Sequence, residues 1–374
     1  MFTIGEPVPW FICASSASQQ FNFQTIAGRY VVLCFFGSSS VTKNAQVINY
    51  LTRDLRDFFD DDNICFFGVT IDYRDLQEGK VSQISPGIRY FWDFEAKVSL
   101  LYGAIRSQED LSQHQISYNS FTLILDPALR VMHYIPIDDA DKHNQALREI
   151  LTQLPPINNH AGVSLHAPVL IVPRVFELDF CRQLIAMYEQ NGGKESGFMR
   201  DKDGKTVGVV DYSFKRRQDY YLEHDPNAQA VCRSVRTKII NRLLPEIAKA
   251  FNFNVTRMER YVIACYDGKV GGFFRPHRDN TTKATAYRRF ACTINLNAEE
   301  YEGGNLRFPE FGDKIYRAPT GGAVVFSCSL LHEATPVTQG IRYAFLPFLY
   351  DEEAAKVREQ NAHFLSNELI DKRQ

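Results

Sequence analysis

The stretch Arg275-Pro276-His277-Arg278-Asp279-Asn280 places a histidine and a carboxylate two residues apart. In an extended strand, residues i and i+2 point to the same face, so His277 and Asp279 can aim at one point. A second histidine, His332, follows in a later segment, and Arg342 lies ten residues beyond it. Two imidazoles and one carboxylate on one side of a divalent metal leave about half of its coordination positions open. His-x-Asp alone is a short, common pattern, and a lone histidine or arginine usually has a surface or ion-pairing role. The reading rests on the order of all four residues, with strand-like segments between them.

Such a centre suits Fe(II), which must hold a co-substrate and O2 together. A dianion such as 2-oxoglutarate can chelate the metal through its keto-acid end, and its distal carboxylate then needs a cation. Arg342 fits that need, because guanidinium pairs bidentately with carboxylate and stays charged when buried. It lies in Ile341-Arg342-Tyr343-Ala344-Phe345-Leu346, which reads as a core strand.

The flanking segments carry a resemblance. Ala264-Cys265-Tyr266-Asp267-Gly268 and Gly272-Phe273-Phe274-Arg275-Pro276-His277-Arg278-Asp279-Asn280 come first. Glu302-Gly303-Gly304-Asn305-Leu306-Arg307-Phe308-Pro309, Pro319-Thr320-Gly321-Gly322-Ala323-Val324-Val325-Phe326 and His332-Glu333-Ala334-Thr335-Pro336-Val337 follow. Together with Gly340-Ile341-Arg342-Tyr343-Ala344, this set resembles the prolyl 4-hydroxylase-like 2-oxoglutarate/Fe(II) oxygenases, nearest to the hypoxia-factor type of prolyl hydroxylase. The resemblance spans roughly residues 168 to 350. It implies a double-stranded β-helix, or jelly-roll, with supporting helices. It also implies His277, Asp279 and His332 as iron ligands and Arg342 as the distal-carboxylate clamp. Tyr266 matches a tyrosine that hydrogen-bonds the same carboxylate. Thr293 and Asn295, in the strand Phe290–Leu296, are implied to line the co-substrate pocket, although the family often has tyrosine where Asn295 falls. Fe(II), 2-oxoglutarate and O2 are the implied cofactors, with ascorbate as reductant.

The elements that would position these residues sit in an ordinary globular chain. It has 374 residues, 45% hydrophobic and 23% charged, with a formal net charge of −2. That length suggests two or three domains. No global basic field invites nucleic acid or a membrane surface, and no apolar run approaches a membrane span. The first residues, Met1 to Glu6, do not read as a signal peptide. Eight cysteines without paired spacing suggest free thiols in a reducing cytoplasm.

Arg29 to Gly37 is a continuous apolar run, expected as a buried central strand. Thr42 to Phe59 has helical spacing, Asn63 to Asp72 reads as a second strand, and Asp93 to Gly103 as a turn and short helix. Ser120 to Pro127 and Val131 to Ile135 read as strands, and Asp141 to Leu154 as an amphipathic helix. With Gly5-Glu6-Pro7-Val8-Pro9 in front and Phe91 to Gly103 behind, residues 1–154 resemble an α/β thioredoxin-fold domain of the peroxiredoxin type. The reactive cysteine of that family is missing, since Gly37-Ser38-Ser39-Ser40-Val41-Thr42 occupies its loop. The serines offer an anion-binding turn or, more simply, a polar cap. The expected role is docking of a partner, presentation of substrate, or dimerisation.

Residues 155–167 are rich in Pro, Asn and Gly and read as a linker, and 168–374 form the second domain. His160 and His166 are expected in solvent. Val169 to Val172 reads as a strand and Leu178 to Gln190 as a helix. Gly193 to Asp225, locally basic with Lys215, Arg216 and Arg217, is expected as a substrate lid. Asn227 to Phe251 reads as a long helix that Pro245 kinks or divides, and the tail from Asp351 as a partly exposed helix.

The leading expectation is a 2-oxoglutarate/Fe(II) dioxygenase that hydroxylates an unactivated C–H bond, with a prolyl residue of a protein or peptide as first candidate and a small molecule as second. The alternatives are a thioredoxin-fold redox enzyme, disfavoured by the missing cysteine, and a non-catalytic metal or 2-oxoglutarate sensor. A nucleic-acid demethylase would want a second arginine soon after Arg342 and a basic face, neither of which is evident.

Overall fold

Tyr30–Gly37 forms strand β1 and is buried at every position. In the computed structural model, which describes residues 2–107 and 117–366, the chain divides into two units. One runs to residue 166 and takes in 309–313; the other holds 167–308 and the residues from 314 on.

In the first unit, helix α1 (Thr42–Arg53) follows β1, and β2 (Ile64–Thr70) pairs parallel with β1. Helix α2 (Tyr73–Gln77), strand β3 (Ile88–Trp92) and helix α3 (Lys97–Leu101) come next. Strands β4 (Phe121–Leu125) and β5 (Val131–Pro136) precede helix α4 (Ala140–Gln153). The sheet order is β3-β2-β1-β4-β5, with β3 parallel to β2 and with β4 and β5 antiparallel. Val47, Ile48 and Leu51 of α1 and Leu147 and Leu151 of α4 share one core cluster with this sheet. This is the thioredoxin-like arrangement of a mixed sheet with helices.

Helix α1 stops at Arg53, short of the expected Phe59. A 3-10 turn at Arg56–Phe58 lets Leu55 and Phe59, both buried, reach the core. The serine turn is not an anion site. Ser39 donates from its backbone amide and hydroxyl to Asp75, Ser38 donates to Asp72, and Thr70 also donates to Asp75. The fully buried Asp75 carboxylate therefore already takes the donors an outside anion would need.

The second unit begins with β6 (Leu170–Val172) and helix α5 (Leu178–Asn191). The basic segment expected as a lid folds as a hairpin of β7 (Phe198–Lys202) and β8 (Lys205–Val209), followed by β9 (Lys215–Arg216) and β10 (Gln218–Tyr221). The long helix is divided, as Pro245 requires, into α6 (Gln229–Arg242) and α7 (Leu244–Phe251). Next come β11 (Arg257–Glu259), β12 (Val262–Asp267), β13 (Phe273–His277), β14 (Phe290–Asn295), β15 (Leu306–Arg307) and β16 (Ile315–Tyr316). Strands β17 (Ala323–Ser327), β18 (His332–Ala334), β19 (Ile341–Phe345) and β20 (Phe348–Tyr350) and helix α8 (Glu352–Gln360) complete it.

Apart from the β7–β8 hairpin, which is a two-stranded sheet of its own, these strands make two sheets among the described residues. The larger runs β11-β20-β14-β19-β12-β10, with β17 beside β14 and β6 beside β17. The smaller runs β9-β13-β18-β15-β16. Alternation splits the larger sheet into two faces. Ile263, Ile294 and Phe345 pack with Leu184, Val235 and Ile247 of the helices. Val262, Ala264, Tyr266 and Ala344 pack inward with Phe274, Ala334 and Val337 of the smaller-sheet side. Two sheets closed over a shared interior, backed by helices, are the jelly-roll expected from the sequence.

Candidate metal centre and anion pocket

The two histidines meet because β13 and β18 are antiparallel neighbours in which His277 and His332 are direct cross-strand partners. Asp279 follows two residues after the strand ends, and its amide donates to the Cys328 carbonyl at 3.0 Å. One ligand atom from each of His277, Asp279 and His332 lies within 4.8 Å of the others. His277 Nε2 is 3.6 Å and His332 Nε2 is 3.3 Å from the Asp279 carboxylate.

The ring tautomers follow from the backbone. His277 Nδ1 lies 2.7 Å from the Arg275 carbonyl, and His332 Nδ1 lies 3.0 Å from that of Leu330. A carbonyl can only accept, so each Nδ1 carries a proton and each Nε2 is the ring atom left to face the common point. Outer hydrogen bonds of this kind are what orient metal-binding imidazoles. Phe274 stacks on His277 with centroids 3.5 Å apart and fixes its plane. Burial, with the neighbouring His332, holds the His277 imidazole down to about 3, so it stays neutral and ready to ligate. Burial alone would raise the Asp279 carboxyl, but the positive charges facing it, Arg288 and Arg260 among them, outweigh it and keep it below its ordinary value. The donor set therefore fits a divalent ion on an oxygenase-type centre.

Arg342 lies on β19 opposite Tyr266 on β12. It is only 2% exposed, and its Nε and Nη1 are buried without a hydrogen-bond partner. A buried cation with idle donors is costly unless an anion joins it. Its guanidinium stands 4.8 Å over the Tyr266 ring. The Tyr266 hydroxyl in turn lies 3.4 Å from Arg217 Nη1.

Thr293 and Asn295 are both buried on β14. Asn295 pairs with Ala344, two residues from Arg342, so all three side chains share the inward face. The Asn295 amide is spent on the Ala318 carbonyl at 2.6 Å, a bracing contact. Among the described residues His160 joins no group of metal-ligating side chains, and its Nδ1 meets the Ile157 carbonyl at 2.9 Å.

Three residues were not singled out by sequence reasoning. Arg217, read only as part of a basic run, is buried and paired to Asp219 at 2.6 Å. Arg288 forms a two-pronged buried pair with Glu259 and reaches the Asp279 carbonyl at 3.4 Å. Tyr301 is 5% exposed, and its hydroxyl is buried without a partner. Its place just before Gly303-Gly304, in a motif already noticed, was the available signal.

A jelly-roll with a His-Asp-His cluster between neighbouring strands, and an arginine buried in the same interior, defines a metal-dependent class. Residues 261–350 match the 2OG-Fe(II) oxygenase superfamily. A PKHD-type hydroxylase of Synechococcus sp. (strain JA-2-3B'a(2-13)) is 33% identical over 89 residues, which is 22% of this chain. The chain thus spans 39% of that relative's length. A solved prolyl hydroxylase in complex with a hypoxia inducible factor peptide fragment, from Trichoplax adhaerens, covers 59% of this chain and 97% of its own, with TM-score 0.43 and 15% identity. A peroxiredoxin Q of Xanthomonas campestris covers 40% of this chain and 98% of its own, with TM-score 0.32 and 15% identity.

Proposed function

We propose that this chain is a 2-oxoglutarate- and Fe(II)-dependent dioxygenase that hydroxylates an unactivated C–H bond, with a prolyl residue of a protein or peptide as the leading substrate. The observation that carries this reading is a pair of imidazoles and a carboxylate with ligand atoms gathered at one point, in a fold whose interior also holds an arginine with unused donors. The superfamily match over 261–350 supports it.

His277, Asp279 and His332 would hold the metal, which when bound supplies the activation of O2 coupled to decarboxylation of 2-oxoglutarate to succinate. Arg342 would hold the distal carboxylate, with Tyr266 beside it, and so set the orientation of the co-substrate. Phe274, Ala334, Val337 and Ala344 line the interior with apolar surface and limit water around the reacting groups. Ascorbate would serve as reductant. A cytoplasmic setting agrees with the free state of the eight cysteines. No helix among the described residues is long and apolar enough to cross a membrane. We assign residues 1–154 to docking of a partner or dimerisation, with 155–167 as linker.

The test is succinate formation from 2-oxoglutarate with Fe(II), ascorbate and air, first without substrate and then with proline-containing peptides. Wild type should form succinate, and a substrate peptide should gain one oxygen atom. His277→Ala should do neither. Equal succinate from both proteins would remove the metal centre from the chemistry.

A further inference from the structure

Tyr301 is a buried phenol that the reaction described so far leaves unused. We propose that its hydroxyl is a hydrogen-bond donor to the distal carboxylate of 2-oxoglutarate, beside Arg342. This rests on the dioxygenase reading and extends it to a residue with no other evident task.

Placement comes first. Tyr301 belongs to the inward cluster with Tyr266, Phe274, Val337 and Ala344. A Cβ built at Gly304 would lie 3.0 Å from Arg342 Cδ and 3.3 Å from Tyr301 Cε2. The Tyr301 ring edge and the Arg342 stem therefore flank one point, together with Val337 Cγ2 at 2.8 Å, and a glycine at position 304, with φ +59°, is what lets them pack this close. Side-chain satisfaction comes second. The Tyr301 hydroxyl and Arg342 Nε and Nη1 are all buried without partners in this interior. Isolated buried donors are rare in native proteins, and several together point to a shared acceptor. A carboxylate offers about four acceptor sites, more than one guanidinium fills.

Rigidity comes third. Arg317 lies over the Tyr301 ring at 4.3 Å and donates to the Tyr301 carbonyl at 3.0 Å, the Ala298 carbonyl at 2.9 Å and Asn305 at 2.8 Å. It also donates to the Gly303 carbonyl. The turn that carries Tyr301 is thus clamped, and its hydroxyl is held in place before any ligand arrives. Holding a donor ready lowers the ordering cost of binding.

Tyr301→Phe removes the hydroxyl and keeps the ring. The experiment is calorimetry on the full chain loaded with Fe(II), without O2, using two probes. 2-Oxoglutarate carries the distal carboxylate; oxalate chelates a metal but has no such group. We expect the 2-oxoglutarate Kd to rise on the order of tenfold in Tyr301→Phe, as for loss of one hydrogen bond to a charged group. The oxalate Kd should not change. The melting temperature of the ligand-free variant should equal or exceed that of wild type, because an unpaired buried hydroxyl has gone. An unchanged 2-oxoglutarate Kd, or equal weakening of both probes, overturns the assignment of Tyr301 alone. Wild-type protein that binds oxalate but not 2-oxoglutarate overturns the dioxygenase reading and this inference with it.

Discussion

The role proposed for Arg342 sets binding against stability. Its unpaired Nε and Nη1 are buried, and each unsatisfied buried group costs roughly 1–3 kcal/mol. Arg342→Met keeps an unbranched stem over Tyr266 and removes the charge. The variant should be more stable to urea by about 1 kcal/mol and should not bind 2-oxoglutarate. A loss of stability of several kcal/mol would instead make the guanidinium a structural brace. At this scale the sequence was informative where residue type alone implies a chemistry: His277, Asp279 and His332 bring their ligand atoms together, and Arg342 is buried with unused donors. It was less so where the same residue type has two uses. Asn295 faces the interior, yet its amide braces a neighbouring carbonyl. Tyr301 looks like any core tyrosine until its hydroxyl is seen to lack a partner.

Elements place these residues through register. His277 meets His332 because β13 and β18 align them, a long-range pairing that no local pattern states. Periodicity located strands and helices well, but not the end of α1, where tertiary burial of Leu55 and Phe59 overrides helical spacing. The basic run from Gly193 to Asp225 reads as surface by composition. Pairing with Asp219 and hydrogen bonds to Ser196 and Gly197 let Arg217 and Lys215 go inside. Behind the larger sheet, Glu177 at the start of α5 bridges to Arg242 and Lys238 of α6. Those two cations hold its carboxyl down to about 2, from an ordinary 4.5. The folded form is the one with the depressed value, so the link contributes fully above about 4.5 and fades as pH falls through about 2. The pair is half exposed, and the contribution should stay below about 1 kcal/mol. The stability gap between wild type and Glu177→Gln should be visible at neutral pH and shrink steadily on acidification. A gap that is constant with pH would contradict the assignment.

At the scale of the whole molecule, two units carry unequal shares of the chemistry. The thioredoxin-like unit has no thiol at the turn after β1. Cys34 and Cys65 are buried, and burial pushes both thiols up to about 12. Such thiols are inert at neutral pH. The full chain should therefore not consume hydroperoxide with a thiol reductant, and native Cys34 and Cys65 should resist alkylation until the chain is denatured. Rapid peroxide consumption would put the redox reading ahead of the dioxygenase one.

The central claim is that three side chains from the smaller-sheet region hold one metal ion. Equilibrium dialysis against Fe(II) without O2, followed by metal analysis, tests it most directly. Wild type should retain one ion per chain, and Asp279→Ala and His332→Ala should each retain almost none while keeping a wild-type melting profile. Variants that hold as much iron as wild type would contradict the account.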